Sequence, residues 1–127
     1  MKILDSNVWI ALFNKEDSLN KKASDIMKEL IKNNEKIFIT EYLILEISTI
    51  LLLKNGKKLA DNFINFVYDN SDIDIIYSDR YFFENTIQFF TKNNYEKLSF
   101  VDQSLLLLSK SYQIITFDKE LNRFIKK

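Results

Sequence analysis

Four short apolar runs, each followed by one or more helical patterns, constrain the fold of this chain more than any other feature. Strands that alternate with helices favour an α/β fold with a parallel sheet, because each helix carries the chain back to the start of the next strand. The predicted strands are Lys2 to Leu4, Lys36 to Thr40, Ile73 to Tyr77 and Gln113 to Phe117.

Helical patterns fill the segments between these strands. One glycine, Gly56, and no proline leave few internal breaks, which suits helices that are joined by short turns. The segment from Glu41 to Leu53 is apolar on nearly every side, so we expect its helix to be buried. The predicted helices are Val8 to Phe13, Asn20 to Lys32, Glu41 to Lys54, Lys57 to Tyr68, Arg80 to Asn93, Phe100 to Lys110 and Lys119 to Ile125.

The composition excludes several classes of site. The chain has no histidine and no cysteine, so Ser-His-Asp or Cys-His catalysis and zinc sites of His or thiolate ligands cannot be built from this chain alone. Its 18 basic and 18 acidic residues give a net charge of zero, without the broad positive field of a non-specific nucleic-acid binder. Any site chemistry must come from carboxylates, hydroxyls, amides, Lys or Arg.

The length of the chain predicts a single domain that spans residues 1–127. With 127 residues, of which 46% are hydrophobic, the chain can bury a core of its own. No apolar run approaches the roughly 20 residues that a membrane span requires, and no signal-peptide pattern is present. We therefore expect a cytoplasmic protein with no membrane association.

Four acidic residues lie among apolar residues, where a lone charge is costly to bury. Asp5 and Asp118 each end a predicted strand. Because the carboxyl ends of parallel strands share one edge of a sheet, both should lie at that edge. Glu46 lies within the apolar helix, and Asp102 lies in the first turn of the helix that begins at Phe100. If the four converge, they form a metal-binding carboxylate cluster.

Such a cluster would suit a hard divalent cation. Mg²⁺ takes oxygen ligands in an octahedral shell and needs only a few carboxylates. Acids that converge without a cation repel one another and raise their pKa values, so a bound ion relieves that repulsion. The ion can polarise a phosphoryl oxygen and generate a nucleophile from water, and neither task needs a histidine.

Each acid also has a purely structural interpretation. Asp5 and Asp118 are suitable helix N-caps, and Ser99 with Asp102 matches the Ser-x-x-Asp capping pattern. Glu46 lies in mid-helix and would instead need a salt bridge to a Lys or Arg from elsewhere in the chain. The sequence leaves these alternatives open.

Other side chains are candidates for substrate contacts. Ser6, Asn7 and Thr116 flank the acids and could orient a metal-bound water or a phosphate, although a turn or cap role is equally compatible. The aromatic residues at 81–83 and 89–90 are more typical of a core than of a nucleobase platform, and they could also bury a partner. Candidate phosphate contacts, which could equally be solvated loop charges, are Lys54, Lys57, Lys58, Arg80, Lys119 and Arg123.

The motifs around the acids resemble those of the PIN-domain ribonucleases, and among small members the VapC-type toxins. The segment Leu4-Asp5-Ser6-Asn7-Val8 is similar to the opening motif of that family. Glu46 corresponds to the glutamate in the helix after the second strand. The segments Ser99-Phe100-Val101-Asp102 and Thr116-Phe117-Asp118 are similar to the third and fourth acidic motifs.

The resemblance implies a three-layer α/β/α fold with a central parallel sheet of about four strands. It implies an endoribonuclease that needs Mg²⁺ or Mn²⁺ and cuts single-stranded or structured RNA. Asp5, Glu46 and Asp102 would be the primary metal ligands, Asp118 would bind through water, and Glu120 is a fifth, weaker candidate. A homodimer and, for the toxin of a type II toxin-antitoxin pair, an antitoxin protein are implied partners. A housekeeping PIN nuclease in RNA processing would carry the same acids.

Three alternatives have a different function. A phosphoacceptor receiver domain is also a small α/β domain with acids at strand ends, but it would need a second acid beside Asp5, where Ser6 and Asn7 stand. The Asp-x-Asp opening of phosphatases is absent for the same reason. A non-catalytic PIN-like scaffold that binds RNA or protein is expected to have lost acids, whereas all four are present.

Overall fold

The computed structural model describes residues 1–125, and all predicted strands and helices are present in the predicted order. The end of each element lies within two residues of its prediction. The elements are β1 Lys2–Leu4, α1 Ser6–Phe13, α2 Asn20–Lys32, β2 Ile37–Thr40, α3 Glu41–Asn55, α4 Lys57–Asp69, β3 Ile73–Ile76, α5 Arg80–Lys92, α6 Phe100–Leu108, β4 Gln113–Ile115 and α7 Lys119–Ile125.

The strands form one parallel sheet in the order β3-β2-β1-β4. In the register of the sheet, Ile3 of β1 lies between Phe38 of β2 and Ile114 of β4. The two central strands, β1 and β2, therefore have a neighbour on each side. Because all four strands run the same way, their carboxyl ends meet at one edge, which we call the C-terminal edge.

The core lies on both faces of the sheet. The strands are nearly continuous runs of apolar residues because helices cover both faces, as is typical of parallel sheets. Ile3, Leu4, Ile37 and Ile39 are almost completely buried. Trp9 of α1 is fully buried in an aromatic cluster with rings of α1 and α4.

Helix α3 is not buried on every side, which corrects the expectation from its composition. Only the residues at one helical spacing, Leu43, Ile47 and Leu51, are fully buried. Leu45 is 66% exposed and Leu53 is 79% exposed. The helix packs mainly against α4 and against α1, so two neighbours cover one face and leave the opposite apolar face open.

The aromatic residues of α5 also depart from the expectation of a core. Tyr81 is 77% exposed, and Phe83 and Phe90 are each more than two-fifths exposed. Phe82 and Phe89 are half-buried. Helix α5 follows β3, one of the two edge strands of the sheet, so it has fewer neighbours to pack against than the helices near β1.

Local signals in the sequence explain where the helices begin. Thr40 caps α3 by accepting a hydrogen bond from the Leu43 N–H (3.1 Å). Gly56 joins α3 to α4 with φ of +97°, a conformation that favours glycine.

In the part of the chain that the structure describes, we find no helix that is long and apolar enough to cross a membrane.

Candidate active site

Asp5 occupies the centre of the candidate site, at the corner where β1 ends and α1 begins. Its side chain is 3% exposed. The Ser6 N–H donates to Oδ1 (2.7 Å), so Asp5 caps α1 as its structural interpretation requires. The Thr116 hydroxyl donates to Oδ2 (2.7 Å). Each carboxylate oxygen therefore already accepts one hydrogen bond, which sets the orientation of the group.

Asn7 and Thr116 tie the corner after β1 to the corner after β4. The Asn7 amide donates to Thr116 Oγ1 (3.1 Å), and its Oδ1 accepts from the Phe117 N–H (3.1 Å). Thr116 Oγ1 also accepts from the Asp118 N–H (3.1 Å). These two side chains, which we considered as substrate contacts, are committed to bonds inside the protein. In this geometry they position Asp5.

The negative charges of Glu46 and Asp102 interact with the Asp5 carboxylate. The pKa of Asp5 is raised from 3.8 to about 6, chiefly by burial and against the lowering effect of its hydrogen bonds to Thr116 and Ser6. The negative charges of Asp102 and Glu46 contribute to this rise. The fold thus brings together three of the four predicted acids from β1, α3 and α6.

Among the described residues, none pairs with the Glu46 carboxylate. It is half-buried, beside the buried stripe of α3 rather than within it. Within residues 1–125 it makes no salt bridge and no hydrogen bond. The salt-bridge interpretation of Glu46 therefore finds no support in this part of the chain.

Asp102 has a structural role that its sequence pattern predicts. Asp102 Oδ2 accepts from the Ser99 N–H (3.0 Å), and Ser99 Oγ accepts from the Asp102 N–H (3.0 Å). This reciprocal pair is a capping box at the start of α6. Capping uses one carboxylate oxygen, and Oδ1 makes no hydrogen bond to any described residue. A cap and a ligand role are therefore compatible in the same side chain.

Asp118 is linked to this group through Thr116, and its side chain caps a helix. Its Oδ1 accepts from the Glu120 N–H (2.9 Å) at the start of α7, as its capping interpretation predicts. Asp118 is not among the charges that raise the pKa of Asp5. Glu120, the weaker candidate, forms an ion pair with Arg123 (2.9 Å). Asp118 therefore lies at the margin of the site and is linked to Asp5 through Thr116.

A metal ion would require some rearrangement of these side chains. Among residues 1–125, no group of three or more acidic side chains is arranged so that it could hold a metal ion as it stands. The chemistry of the donor set nevertheless fits a hard cation, because the Asp5 carboxylate is repelled by those of Glu46 and Asp102 and none of the three forms an ion pair with a base in the described part of the chain. Glu46 and the free oxygen of Asp102 have no bond that would hold them apart.

The predicted phosphate contacts lie on four helices, α3, α4, α5 and α7. Lys57, Arg80 and Arg123 each form an ion pair with an acid on their own helix. The other three, Lys54, Lys58 and Lys119, are exposed. Lys54 lies about 12 Å of helix rise beyond Glu46, because α3 adds about 1.5 Å per residue. A role for the six cations in binding phosphate therefore stays a prediction.

One cation near the site had no signal in the sequence. The ammonium group of Lys22, in α2, lies 5.2 Å from the centre of the Phe117 ring. Phe117 stands between Thr116 and Asp118 in the sequence. The sequence gives no reason to choose Lys22 over its neighbour Lys21. The packing of α2 against the corner after β4 is what places Lys22 on Phe117.

We expect the metal-free protein to lose stability as the pH rises through the titration of Asp5. Between 3.8, the ordinary value, and the raised pKa of about 6, the folded state binds more protons than the unfolded state, so the free energy of unfolding falls as the pH rises. The loss is about 3 kcal/mol at most and is complete above the raised pKa. Urea denaturation in EDTA from about pH 4 to about pH 8 measures it. Asp5→Asn should remove this part of the pH dependence; an unchanged slope in the variant would assign it to other groups.

Comparison with known proteins identifies the class. A family model described as PIN domain matches residues 2–127, and the chain belongs to this family. Among solved structures it is similar to VapC20 of Mycobacterium tuberculosis, a sarcin-ricin loop cleaving toxin, with a TM-score of 0.81 and 19% sequence identity over 97% of this chain and 94% of that chain. At this identity the likeness concerns the fold. No curated protein matches the chain. The predicted family and the PIN-like architecture around a four-stranded parallel sheet are confirmed.

Proposed function

We propose that this protein is a metal-dependent endoribonuclease that hydrolyses phosphodiester bonds in RNA. The observation that carries the proposal is the buried Asp5 carboxylate, whose pKa is raised partly by two further acids, Glu46 and Asp102, without a neutralising base in the described residues. Such clusters with perturbed pKa values are typical of functional sites. Membership of the PIN family supports the same reading.

Asp5, Glu46 and Asp102 would hold Mg²⁺ or Mn²⁺. When bound, the ion supplies Lewis-acid activation of the phosphoryl group and of the attacking water. The protein contributes the orientation of the ligands: Ser6 and Thr116 hold both oxygens of Asp5, and Ser99 holds one oxygen of Asp102. Asp118 Oδ2 makes no hydrogen bond to a described residue and can accept one from a water molecule.

Mg²⁺ or Mn²⁺ is expected to raise the melting temperature of the wild-type protein. An ion that binds only the folded state stabilises it by about 2.7 kcal/mol at a hundredfold excess over Kd. Glu46→Gln removes a ligand charge and should reduce the shift. Glu29→Gln is the matched control, because Glu29 is an exposed residue of α2 whose carboxylate accepts a hydrogen bond from the Asn33 amide. Equal shifts in Glu46→Gln and the control would exclude Glu46 from the metal site.

The direct test of function is cleavage of end-labelled RNA, both single-stranded and hairpin, with Mn²⁺ or Mg²⁺ and with EDTA. Cleavage that needs the ion supports the proposal. Metal-independent cleavage, or no cleavage by protein that binds the ion, would contradict it. The variant that makes this test specific is Asp102→Asn.

We further propose that the protein is the toxin of a toxin-antitoxin pair and acts in the cytoplasm as a homodimer. The likeness to VapC20 supports the toxin role, and exposed apolar side chains of α3 and α5 offer surfaces for a second copy and an antitoxin. The alternative is a housekeeping PIN nuclease. Growth arrest on expression of the wild type, but not of Asp102→Asn, would favour the toxin over the housekeeping nuclease. The molecular mass measured in solution shows whether the protein is a dimer.

A further inference from the structure

A cavity of about 570 Å³ lies apart from the acids, between the end of β3, the length of α5 and the end of α6. Four residues of α5 that line it, Tyr81, Asn85, Gln88 and Lys92, follow the spacing i, i+4, i+7 and i+11. This spacing places them along a single face of the helix. One side of the cavity is therefore lined by a tyrosine, an asparagine, a glutamine and a lysine in a row, and the rest of the lining is mostly apolar, with Ile76, Phe89, Leu107 and Leu108.

These groups are free to bind a ligand. Within residues 1–125, the side chains of Asn85 and Gln88 make no hydrogen bond, and Lys92 makes no ion pair. The Tyr81 ring is 77% exposed. The one acid of the lining, Asp79, is at the opposite end of α5 from Lys92, and its Oδ1 accepts from the Phe82 N–H (2.8 Å).

The row differs in chemistry from the other exposed face of α5. Phe83, Ile87 and Phe90 are apolar, do not line the cavity, and are two-fifths to one-half exposed. An apolar face of that kind suits a protein surface. A ring that can stack on a base, amides that can pair with the edge of a base, and a cation for a phosphate are instead the groups that bind single-stranded RNA.

Packing connects the cavity to the acids. The Phe82 ring, in the cavity wall, stacks on Tyr42 of α3 with a centroid distance of 5.4 Å and an angle of 19°. Tyr42 precedes Glu46 by four residues, so the two lie on the same side of α3. The Tyr42–Phe82 pair therefore joins the wall of the cavity to the helix that carries Glu46.

We propose that this cavity binds an unpaired base of the RNA substrate, stacked on Tyr81, with Asn85 and Gln88 at the edge of the base and Lys92 at the adjoining phosphate. The proposal rests on the proposed ribonuclease function and adds to it a binding subsite separate from the carboxylates. It would hold RNA near the acids in a protein whose net charge is zero and would not require a broad basic surface.

The test is binding of fluorescently labelled single-stranded oligo(A) and oligo(U) to the full chain in EDTA, so that binding is measured without metal-dependent cleavage. Tyr81→Ala is expected to weaken binding on the order of tenfold, the effect of losing one stacked base. Tyr81→Phe keeps the ring and should bind nearly as the wild type. Tyr68→Ala is the matched control, because Tyr68 is 68% exposed on α4 and does not line the cavity. Lys92→Gln should reduce the slope of log binding constant against log salt concentration by about the amount expected for one phosphate contact.

The outcomes separate this proposal from the proposed function. If wild type binds neither oligonucleotide, or if Tyr81→Ala binds as tightly as Tyr68→Ala, the cavity is not an RNA subsite, even where metal-dependent cleavage is intact. If Tyr81→Ala leaves RNA binding unchanged and instead alters the oligomeric mass of the protein in solution, the surface binds protein and the proposal is overturned. Loss of binding in Tyr81→Ala with rescue by Tyr81→Phe supports the subsite, whether or not the acids prove to be catalytic.

Discussion

RNA cleavage by Asp102→Asn is expected to be slower than that of the wild type by about 100-fold or more, because a metal ligand contributes several kcal/mol to transition-state stabilisation and each 1.36 kcal/mol is a factor of ten in rate. The fold should survive. The capping box needs only a carbonyl-type oxygen opposite the Ser99 N–H, and an asparagine side chain supplies one. The change therefore removes the charge and leaves the cap.

The measurement is the rate of cleavage of end-labelled RNA with Mn²⁺, with circular dichroism to confirm the fold. Asp17→Asn is the matched control, because Asp17 also accepts a backbone N–H, that of Leu19 (2.8 Å), but lies in the connection between α1 and α2. It should leave the rate unchanged. Wild-type activity in Asp102→Asn would reduce Asp102 to a helix cap and reject the proposed mechanism.

The free energy of unfolding is expected to fall by roughly 3–5 kcal/mol in Trp9→Ala. Trp9 is fully buried, and the rings of Phe63 and Phe66 contact it edge-on at centroid distances of 5.7 and 6.1 Å. Its removal leaves a cavity that these rings can fill only in part. Because α1 also carries Ser6 and Asn7, the loss would weaken the support of Asp5.

Urea denaturation followed by circular dichroism measures this loss, since the variant has no tryptophan left as a fluorescent reporter. Trp9→Phe is the informative companion. Trp9 Nε1 is buried without a hydrogen-bond partner in residues 1–125, so phenylalanine keeps an aromatic ring and removes an unsatisfied donor. It should retain most of the stability. If Trp9→Phe proves as destabilising as Trp9→Ala, ring packing does not explain the role of this residue.

Much of the fold was predictable because its signals are local. The strands are short runs of apolar residues, and capping residues such as Thr40 and Ser99 mark the helix starts within one or two positions. The acids at strand ends, Asp5 and Asp118, could be assigned to one edge because parallel strands in a sheet end together. That inference needs only strand positions and the handedness of crossovers.

The environment of each acid was less predictable. Glu46 was expected among buried apolar residues, yet it is half-buried, because the buried face of α3 is the one with Leu43, Ile47 and Leu51. A helix with apolar residues all round does not indicate which face its neighbours will cover. The sequence also did not predict that Asn7 and Thr116 hold Asp5 in place, because these two residues are more than a hundred positions apart in the chain.

The sequence by itself determined the elements, their order and the parallel sheet, because these follow from hydrophobic periodicity and capping, and it supplied the four candidate acids by excluding histidine and cysteine chemistry. Only the tertiary structure decided which acids affect one another, which oxygens are free, which apolar residues remain exposed and how the face of α5 forms a cavity. The physical reason is that burial, Coulomb interaction and hydrogen bonding depend on distances between residues far apart in the chain, and those distances are set by packing.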